Sequence, residues 1–272
     1  MSKQYKKDSL GNRMKAYEAV NEHYLVPKMP FIIRVDGKAF HTFTKHFKKP
    51  FDSIMERAMK ATMQSLCKDI PGCVLGYTQS DEITLVCTYS DRIVSEAWFN
   101  GRIEKIVAIS AAKATKYFNK HYREAVLSVF SEKNDINAWD VHMIYHKNFD
   151  EAEFDARVFN LPEWDCINNI IWRQQDAIRN SVEMVGHCFY SARELNRVNT
   201  DMIKMKLLTD HNIMWDAYPE YNKRGTFCYK VQREKETHGK VVTRNIWEIE
   251  KHPVFLQENR EWFSQVTGLK ED

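Results

Sequence analysis

Phe31-Ile32-Ile33-Arg34-Val35-Asp36-Gly37 is a short β-branched run that closes on Asp-Gly, so it reads as a buried strand ending at a tight turn with a carboxylate at its tip. Pro50 and Asp52 then open a helix whose apolar rows, Ile54/Ala58/Leu66 and Met55/Met59/Met63/Cys67, follow i+4 spacing until Pro71-Gly72 stops it. Cys73-Val74-Leu75-Gly76-Tyr77 and Ile83-Thr84-Leu85-Val86-Cys87-Thr88-Tyr89 are strand-like runs on either side of the polar tip Thr78-Gln79-Ser80-Asp81-Glu82, which predicts a β-hairpin with carboxylates at its turn. A long helix is expected from Ser95 to Tyr122, interrupted only by Gly101, and a strand from Phe154 to Leu161 with Phe154, Ala156 and Val158 on one face. Strand, helix, hairpin, helix, strand is the βαββαβ ferredoxin-like plan, an α+β fold whose antiparallel sheet is covered on one face by two helices.

Downstream, a helix is expected from Glu163 to Val185 and another from the capping-box pattern Ser191-x-x-Glu194 toward Leu208. A late hairpin pairs Gly225 to Val231 with Val241 to Ile249 around His238-Gly239. With no low-complexity linker or internal repeat, residues 1–162 read as the catalytic core and residues 163–272 as a helical and hairpin extension packed on it.

A chain of 272 residues, 43% hydrophobic and 12% aromatic, can bury a sizeable core. It contains no run of eighteen apolar residues and opens on polar residues rather than a signal peptide, so a soluble, cytoplasmic protein without a membrane partner is expected. Cys67, Cys73, Cys87, Cys166, Cys188 and Cys228 form no CxxC pair, which disfavours zinc and suits reduced thiols used as small hydrophobes. Forty Lys and Arg against 37 Asp and Glu leave a net charge of +3, too balanced to announce a nucleic-acid partner.

In a βαββαβ sheet the first and third strands are neighbours, so Asp36 and the hairpin tip at Asp81-Glu82 should meet at one edge. Carboxylates so placed repel unless they share a proton or a cation neutralises them, and hard oxygen ligands without His or Cys favour Mg²⁺. Two Mg²⁺ ions about 3.5 to 4 Å apart can activate an attacking oxygen and stabilise a leaving phosphate, so phosphoryl or nucleotidyl transfer is the natural use. Gly37, lacking a side chain, lets backbone approach a triphosphate, and its carbonyl is a further oxygen ligand. Either motif alone is ordinarily a solvated turn; their convergence is what points to a metal site.

Arg34-Val35-Asp36-Gly37-Lys38-Ala39-Phe40-His41-Thr42-Phe43, Tyr77-Thr78-Gln79-Ser80-Asp81-Glu82, Phe154-Asp155-Ala156-Arg157-Val158, Trp172-Arg173-Gln174-Gln175-Asp176 and Lys223-Arg224-Gly225-Thr226 occur in order between about residue 10 and residue 250. Together they resemble the tRNA-His guanylyltransferase superfamily, including its tRNA-guanylyltransferase-like members. The resemblance implies a palm-like polymerase fold, 3′-to-5′ nucleotide addition, and activation of a tRNA 5′ end by ATP or GTP before the 3′-hydroxyl of an incoming NTP attacks it. It implies Asp36, the Gly37 carbonyl and Asp81 as ligands of two Mg²⁺ ions, with Glu82 as a neighbouring catalytic acid. It implies a nucleotide pocket from Asp36, Gly37, Lys38, Ala39, Phe40 and His41 with Ser80, Asp81 and Asn180. Arg102 and Lys105, after Trp98-Phe99, would clamp a second triphosphate, and Lys223 and Arg224 would contact tRNA phosphates. A homotetramer, built as a dimer of dimers, is implied as well.

Three positions depart from relatives dedicated to histidine tRNA, which carry His-Ile-Asn-Asn where this chain has Ile178-Arg179-Asn180-Ser181, so the histidine is gone and one asparagine remains. That departure implies template-dependent repair of 5′-truncated tRNA rather than addition of one guanosine at position −1. The alternatives are that strict guanylylation, a nucleotide cyclase on a ferredoxin-like sheet, or a tRNA-binding module that has lost catalysis. Trp164 and Trp172, eight apart on a predicted helix, read as core, and His41 as a residue packed beside Phe40 and Phe43 that is also a binding candidate.

Overall fold

A computed structural model describes residues 9–89, 97–131, 138–237, 240–250 and 254–270. In chain order the elements are α1 (Leu10–Ala19), β1 (Phe31–Gly37), α2 (Phe40–Phe43), α3 (Ser53–Asp69), β2 (Cys73–Gln79), β3 (Glu82–Cys87), α4 (Ile103–Ser131), α5 (Ala138–His146), β4 (Phe154–Asn160), α6 (Glu163–Gly186), α7 (Ala192–Leu195), α8 (Thr200–His211), α9 (Glu220–Arg224), β5 (Thr226–Thr237), β6 (Lys240–Ile249) and α10 (Arg260–Thr267). The six strands form one antiparallel sheet in the order β4-β1-β3-β2-β5-β6. Its first four members are the predicted ferredoxin-like plan. The C-terminal hairpin does more than pack on that core: β5 pairs with β2 and lengthens the sheet.

Strand alternation divides the core into two layers. Phe31, Ile33 and Val35 of β1 face α3 and α4 together with Ile83 and Leu85, whereas Ile32 faces Cys166, Ile167 and Ile170 of α6. Ile32 and Ile33 are both fully buried, and each such side chain contributes about 1.5–3 kcal/mol. The sheet is therefore covered on both faces, α3 and α4 on one side and the extension's α6 and α10 on the other. A third cluster joins the C-terminal half of α6 to α8 through Val182, Val185, Ile203, Leu207 and Trp215.

Local differences from the expectations have local causes. The long helix starts at Ile103, because Phe99, Asn100 and Gly101 all take positive φ and Arg102 is extended; its expected start at Ser95 lies outside the described residues. The capping box at Ser191 and Glu194 forms, yet α7 ends after one turn, where Asn196 turns extended and Arg197 takes a φ of 61°. Asn199 then caps α8 afresh. α5 was not anticipated from sequence, and the turn at His238-Gly239 lies outside the described residues. Among the described residues no helix is long and apolar enough to cross a membrane. Five of the six free cysteines are buried, and Cys188 is exposed.

Gly225 joins α9 to β5 at φ 74°, ψ −167°, a backbone conformation that only glycine adopts without strain. A Cβ there would stand 2.5 Å from the Thr78 carbonyl oxygen and 2.7 Å from the Tyr77 ring. Gly225→Ala is expected to lower unfolding stability by roughly 2–4 kcal/mol through backbone strain and overpacking; a urea midpoint equal to that of the parent chain would contradict this close approach.

Candidate active site

The ends of β1 and the β2–β3 hairpin are held together by main-chain register. Asp36 lies opposite Glu82 on one side and opposite Asp155 of β4 on the other. The hairpin tip is tighter than expected: Gln79 and Glu82 still pair, leaving Ser80-Asp81 as a two-residue turn with Ser80 at φ 48°. One bond closes the junction, from the Gly37 N–H to the Asp81 carbonyl at 3.1 Å. The next N–H, of Lys38, donates to the Glu153 carbonyl at 2.9 Å. Ala39, in the left-handed region, then starts α2 and brings Phe40 back over Gly37, where a Cβ would meet the Phe40 ring at 2.3 Å. The glycine of Asp-Gly is thus required by the fold of the turn.

Charge at this junction is incompletely neutralised. Burial pushes the Asp81 carboxyl above the usual aspartate range; Asp36 adds to the rise and a hydrogen bond from Ser80 opposes it. Asp36 is raised by burial and by Asp155, with Arg157, Arg34 and Arg173 opposing. Glu82 has a different fate. Arg173 of α6 grips it with two 2.8 Å bonds, from Nε to Oε1 and from Nη2 to Oε2, and also reaches Asp176 at 3.0 Å. Burial raises the Glu82 carboxyl and the Arg173 guanidinium opposes that rise. Glu82 therefore stands as a fixed, paired neighbour of the two aspartates.

A cleft of about 650 Å³ opens beside this junction, between the β1 turn, the hairpin tip, the start of α3 and one flank of α6. Of the residues singled out from sequence, Asp36, Gly37, Ala39, Phe40, His41, Ser80, Asp81, Glu82 and Asn180 line it. His41 is exposed there, while Phe40 and Phe43 stack at 4.9 Å behind it. Lys48, Lys49, Met55 and Tyr221 line the cleft as well, with no role foreseen for them. Lys48 and Lys49 join Arg173 in bringing positive charge to a cleft edged by Asp36, Asp52, Glu56, Asp81 and Glu82; the basic pair before Pro50 was visible in the sequence, but its reach into this cleft was not.

Other expected site residues stand elsewhere. Lys38 pairs with Glu153 at 2.5 Å on the surface. Arg102 pairs with Glu22 at 2.6 Å and fastens the segment after α1, while Lys105 is an exposed first-turn residue of α4; neither lines the cleft. The basic pair Lys223-Arg224 is not a free surface pair. Lys223 is 3% exposed, and its Nζ is 2.8 Å from the Asp216 carbonyl and 2.7 Å from Glu220 Oε1. Arg224 pairs with Glu220 at 3.2 Å, and its carbonyl accepts from Tyr77 Oη. Burial with internal partners corrects the picture of Lys223 as a phosphate contact. Trp164 and Trp172, expected in the core, are 47% and 51% exposed.

The family model for tRNAHis guanylyltransferase matches residues 11–162, the segment that carries the acidic junction. The chain belongs to the tRNAHis guanylyltransferase family. Its fold is similar to that of a bacterial tRNA(His) guanylyltransferase (Thg1)-like protein solved in complex with ATP, at a TM-score of 0.80 and 34% identity over 96% of this chain and 100% of that one. The GTP complex of a bacterial protein of the same description aligns at a TM-score of 0.75 and 32% identity, over the same shares of the two chains. The tRNA(His) guanylyltransferase of Debaryomyces hansenii is 34% identical over 231 residues, 77% of this chain and 76% of the relative. As a member of this family the chain is a nucleotidyltransferase.

Among the described residues no group of three or more His, Cys, Asp or Glu side chains is gathered to hold a metal ion. The acidic junction of this guanylyltransferase-family chain is smaller and more open: two carboxylates with raised pKa values beside a backbone turn. Raised carboxyls sharpen a test of stability. A neutral Asp81 favours the folded chain below the unfolded-state pKa, and that contribution is lost as pH climbs through the higher folded-state value. Asp81→Asn should therefore raise the melting temperature of the metal-free protein at about pH 7, and the gain should shrink toward about pH 4. Thermal melts in a chelator check this; a variant that melts lower than the parent at neutral pH would contradict a net cost of burying the Asp81 charge.

Proposed function

We propose that this protein is a 3′-to-5′ nucleotidyltransferase that activates the 5′ end of a tRNA with ATP or GTP and then adds nucleotides templated by the opposite strand. The observation that carries this reading is the junction of Asp36 and Asp81 at the mouth of a nucleotide-sized cleft. The nucleotide complexes of the bacterial Thg1-like structures support ATP and GTP as ligands of this chain. Asp36, Asp81 and the Gly37 carbonyl offer hard oxygen atoms and no His or Cys, a donor set that suits Mg²⁺. Bound there, two Mg²⁺ ions supply charge neutralisation for the phosphates and activation of the attacking oxygen.

The chain's own residues would do the rest. The Gly37 and Lys38 amides are committed to the Asp81 and Glu153 carbonyls, so the backbone amides of Ala39, Phe40 and His41 and the Ser80 hydroxyl hold triphosphate oxygens. Lys48 and Lys49 add charge along the phosphates, and His41, Phe40 and Asn180 border the nucleoside. Arg173 orients Glu82, so that the acid beside the reacting phosphates keeps one position. In the first transfer a 5′-phosphate oxygen attacks the α-phosphate of ATP or GTP and pyrophosphate leaves. In the second the 3′-hydroxyl of an incoming nucleotide attacks the activated 5′-phosphate and displaces the nucleoside monophosphate.

Addition of a single guanosine to histidine tRNA is the second reading, favoured by the name of the Debaryomyces relative. Ile178, where dedicated enzymes carry a histidine, favours repair because it supplies neither charge nor hydrogen bond. The exposed apolar side chains of α1, Leu10, Met14 and Tyr17, and of α8, Met202, Met205 and Leu208, support the homotetramer, since subunit contacts would cover them.

The decisive assay supplies 5′-monophosphorylated tRNA lacking its first nucleotide, Mg²⁺ and all four NTPs. Templated repair yields a product complementary to the 3′ strand, whereas one guanosine added whatever the opposite base favours the second reading. No lengthened product in any combination would sink both. Asp81→Asn should lower the rate on the order of 10²–10³-fold while leaving tRNA affinity nearly unchanged; undiminished turnover would remove Asp81 from the mechanism.

A further inference from the structure

Beside the cleft, the α6-facing surface of the sheet carries an aromatic and cationic patch whose members Arg34, Arg157 and Trp172 do not line it and have no part in the reading above. Arg34 and Asp36 share the face of Ile32, which packs on α6. Arg157 of β4 lies directly opposite Arg34, as Asp155 lies opposite Asp36. Trp172 of α6 completes the patch: the Arg34 guanidinium carbon is 5.4 Å from its ring centroid and that of Arg173 is 4.5 Å away. The indole is held by two cations, yet half of its surface is open to solvent.

We propose that Trp172, Arg34 and Arg157 form the subsite for the 5′-terminal nucleotide of the RNA, with the first base on the indole and its phosphate on Arg157 beside Asp36. This inference rests on the RNA-end reading of the preceding section and names the side chains that receive that end.

Three features point to a phosphorylated, base-bearing ligand. Like charges directly opposite on paired strands destabilise a sheet, and Arg34 and Arg157 are such a pair, with Arg173 close by. An anion seated between the cations relieves the repulsion. Arg157 also has donors to spare. Its contacts to Asp36 at 3.8 Å and Asp155 at 3.9 Å are longer than hydrogen bonds, and its side chain is 56% exposed. Lastly, an exposed indole beside guanidinium groups accepts any base, because every base presents a π-face. That tolerance suits an enzyme whose RNA end changes identity with each substrate.

Asp36 links the two halves. It lines the cleft and stands beside Arg157, so a phosphate on Arg157 reaches the same aspartate that borders the bound triphosphate. A free nucleotide in the cleft has no need of Trp172, which does not line it.

The test compares the parent protein with Trp172→Ala, Trp172→Phe and Arg157→Gln. The probes are an RNA hairpin truncated by one nucleotide and carrying a 5′-monophosphate, the same hairpin with a 5′-hydroxyl, and ATP alone. Trp172→Ala should weaken binding of the phosphorylated hairpin by about 5- to 100-fold, within the range for loss of one base stack, with ATP affinity unchanged. Trp172→Phe should recover most of that loss. Arg157→Gln should erase the preference for 5′-phosphate over 5′-hydroxyl. Parent-like hairpin affinity in Trp172→Ala, or a retained phosphate preference in Arg157→Gln, overturns the subsite. Should Trp172→Ala not fold, Trp172→Leu replaces it, and equal hairpin affinity of the Leu and Phe variants overturns the stacking role. If the parent itself binds neither hairpin, the RNA-end reading fails and the subsite with it; if the parent extends RNA while the variants bind normally, only the subsite fails.

Discussion

The hydrogen bond from the Gly37 N–H to the Asp81 carbonyl is the constraint on which the site depends. It extends the β1–β3 ladder by one step beyond Asp36 and Glu82, and so ties the turn after the first strand to the tip of the hairpin. Side chains on neighbouring antiparallel strands are held a few ångströms apart by backbone geometry alone. The sheet can therefore press acidic groups together and raise their pKa values without relying on any side-chain contact between them. Burial is the larger cause of the rise at Asp36 and Asp81, because it removes water from the charged forms, and the neighbouring acids add to it.

Repulsion of this kind has to be met by something, and the chain meets only part of it. Arg173 neutralises Glu82 through a fork-like pair, and Asp176 shares the same guanidinium. α6 is thereby fastened to the sheet by charge at the end where its apolar contacts to Ile32 and Val86 run out. Asp36 and Asp81 are left with weaker partners: a guanidinium at 3.8 Å for one and the neighbouring serine for the other. A structure that spends its strongest cation on Glu82 leaves the two aspartates as the groups with unmet charge, which is the electrostatic requirement of a cation-binding junction.

Much of this was legible in the residues. The β-branched run to Asp36-Gly37 and the polar hairpin tip gave both strand ends, because period-2 burial and turn chemistry are local. The β4-β1-β3-β2 order followed from the element sequence. What escaped prediction is what depends on distant partners. Lys223 reads as a solvated basic residue until Asp216 and Glu220 are seen around it. Trp172 reads as core by its spacing from Trp164, whereas α6 turns both outward. Phe99 and Asn100 carry no mark of the left-handed backbone that delays α4. Pairing of β5 with β2 needed the strand edge that the hairpin leaves open, and no local pattern announces such an edge.

The claim that everything else rests on is that Asp36 and Asp81 together gather divalent cations. Titration of the protein with Mn²⁺ in the presence of a nonhydrolysable GTP analogue, followed by electron paramagnetic resonance, measures this directly. Two bound ions per chain, with spectra broadened by their mutual proximity and lost in Asp36→Asn and in Asp81→Asn, are expected. Unchanged stoichiometry and affinity in both variants would show that the cations are held elsewhere.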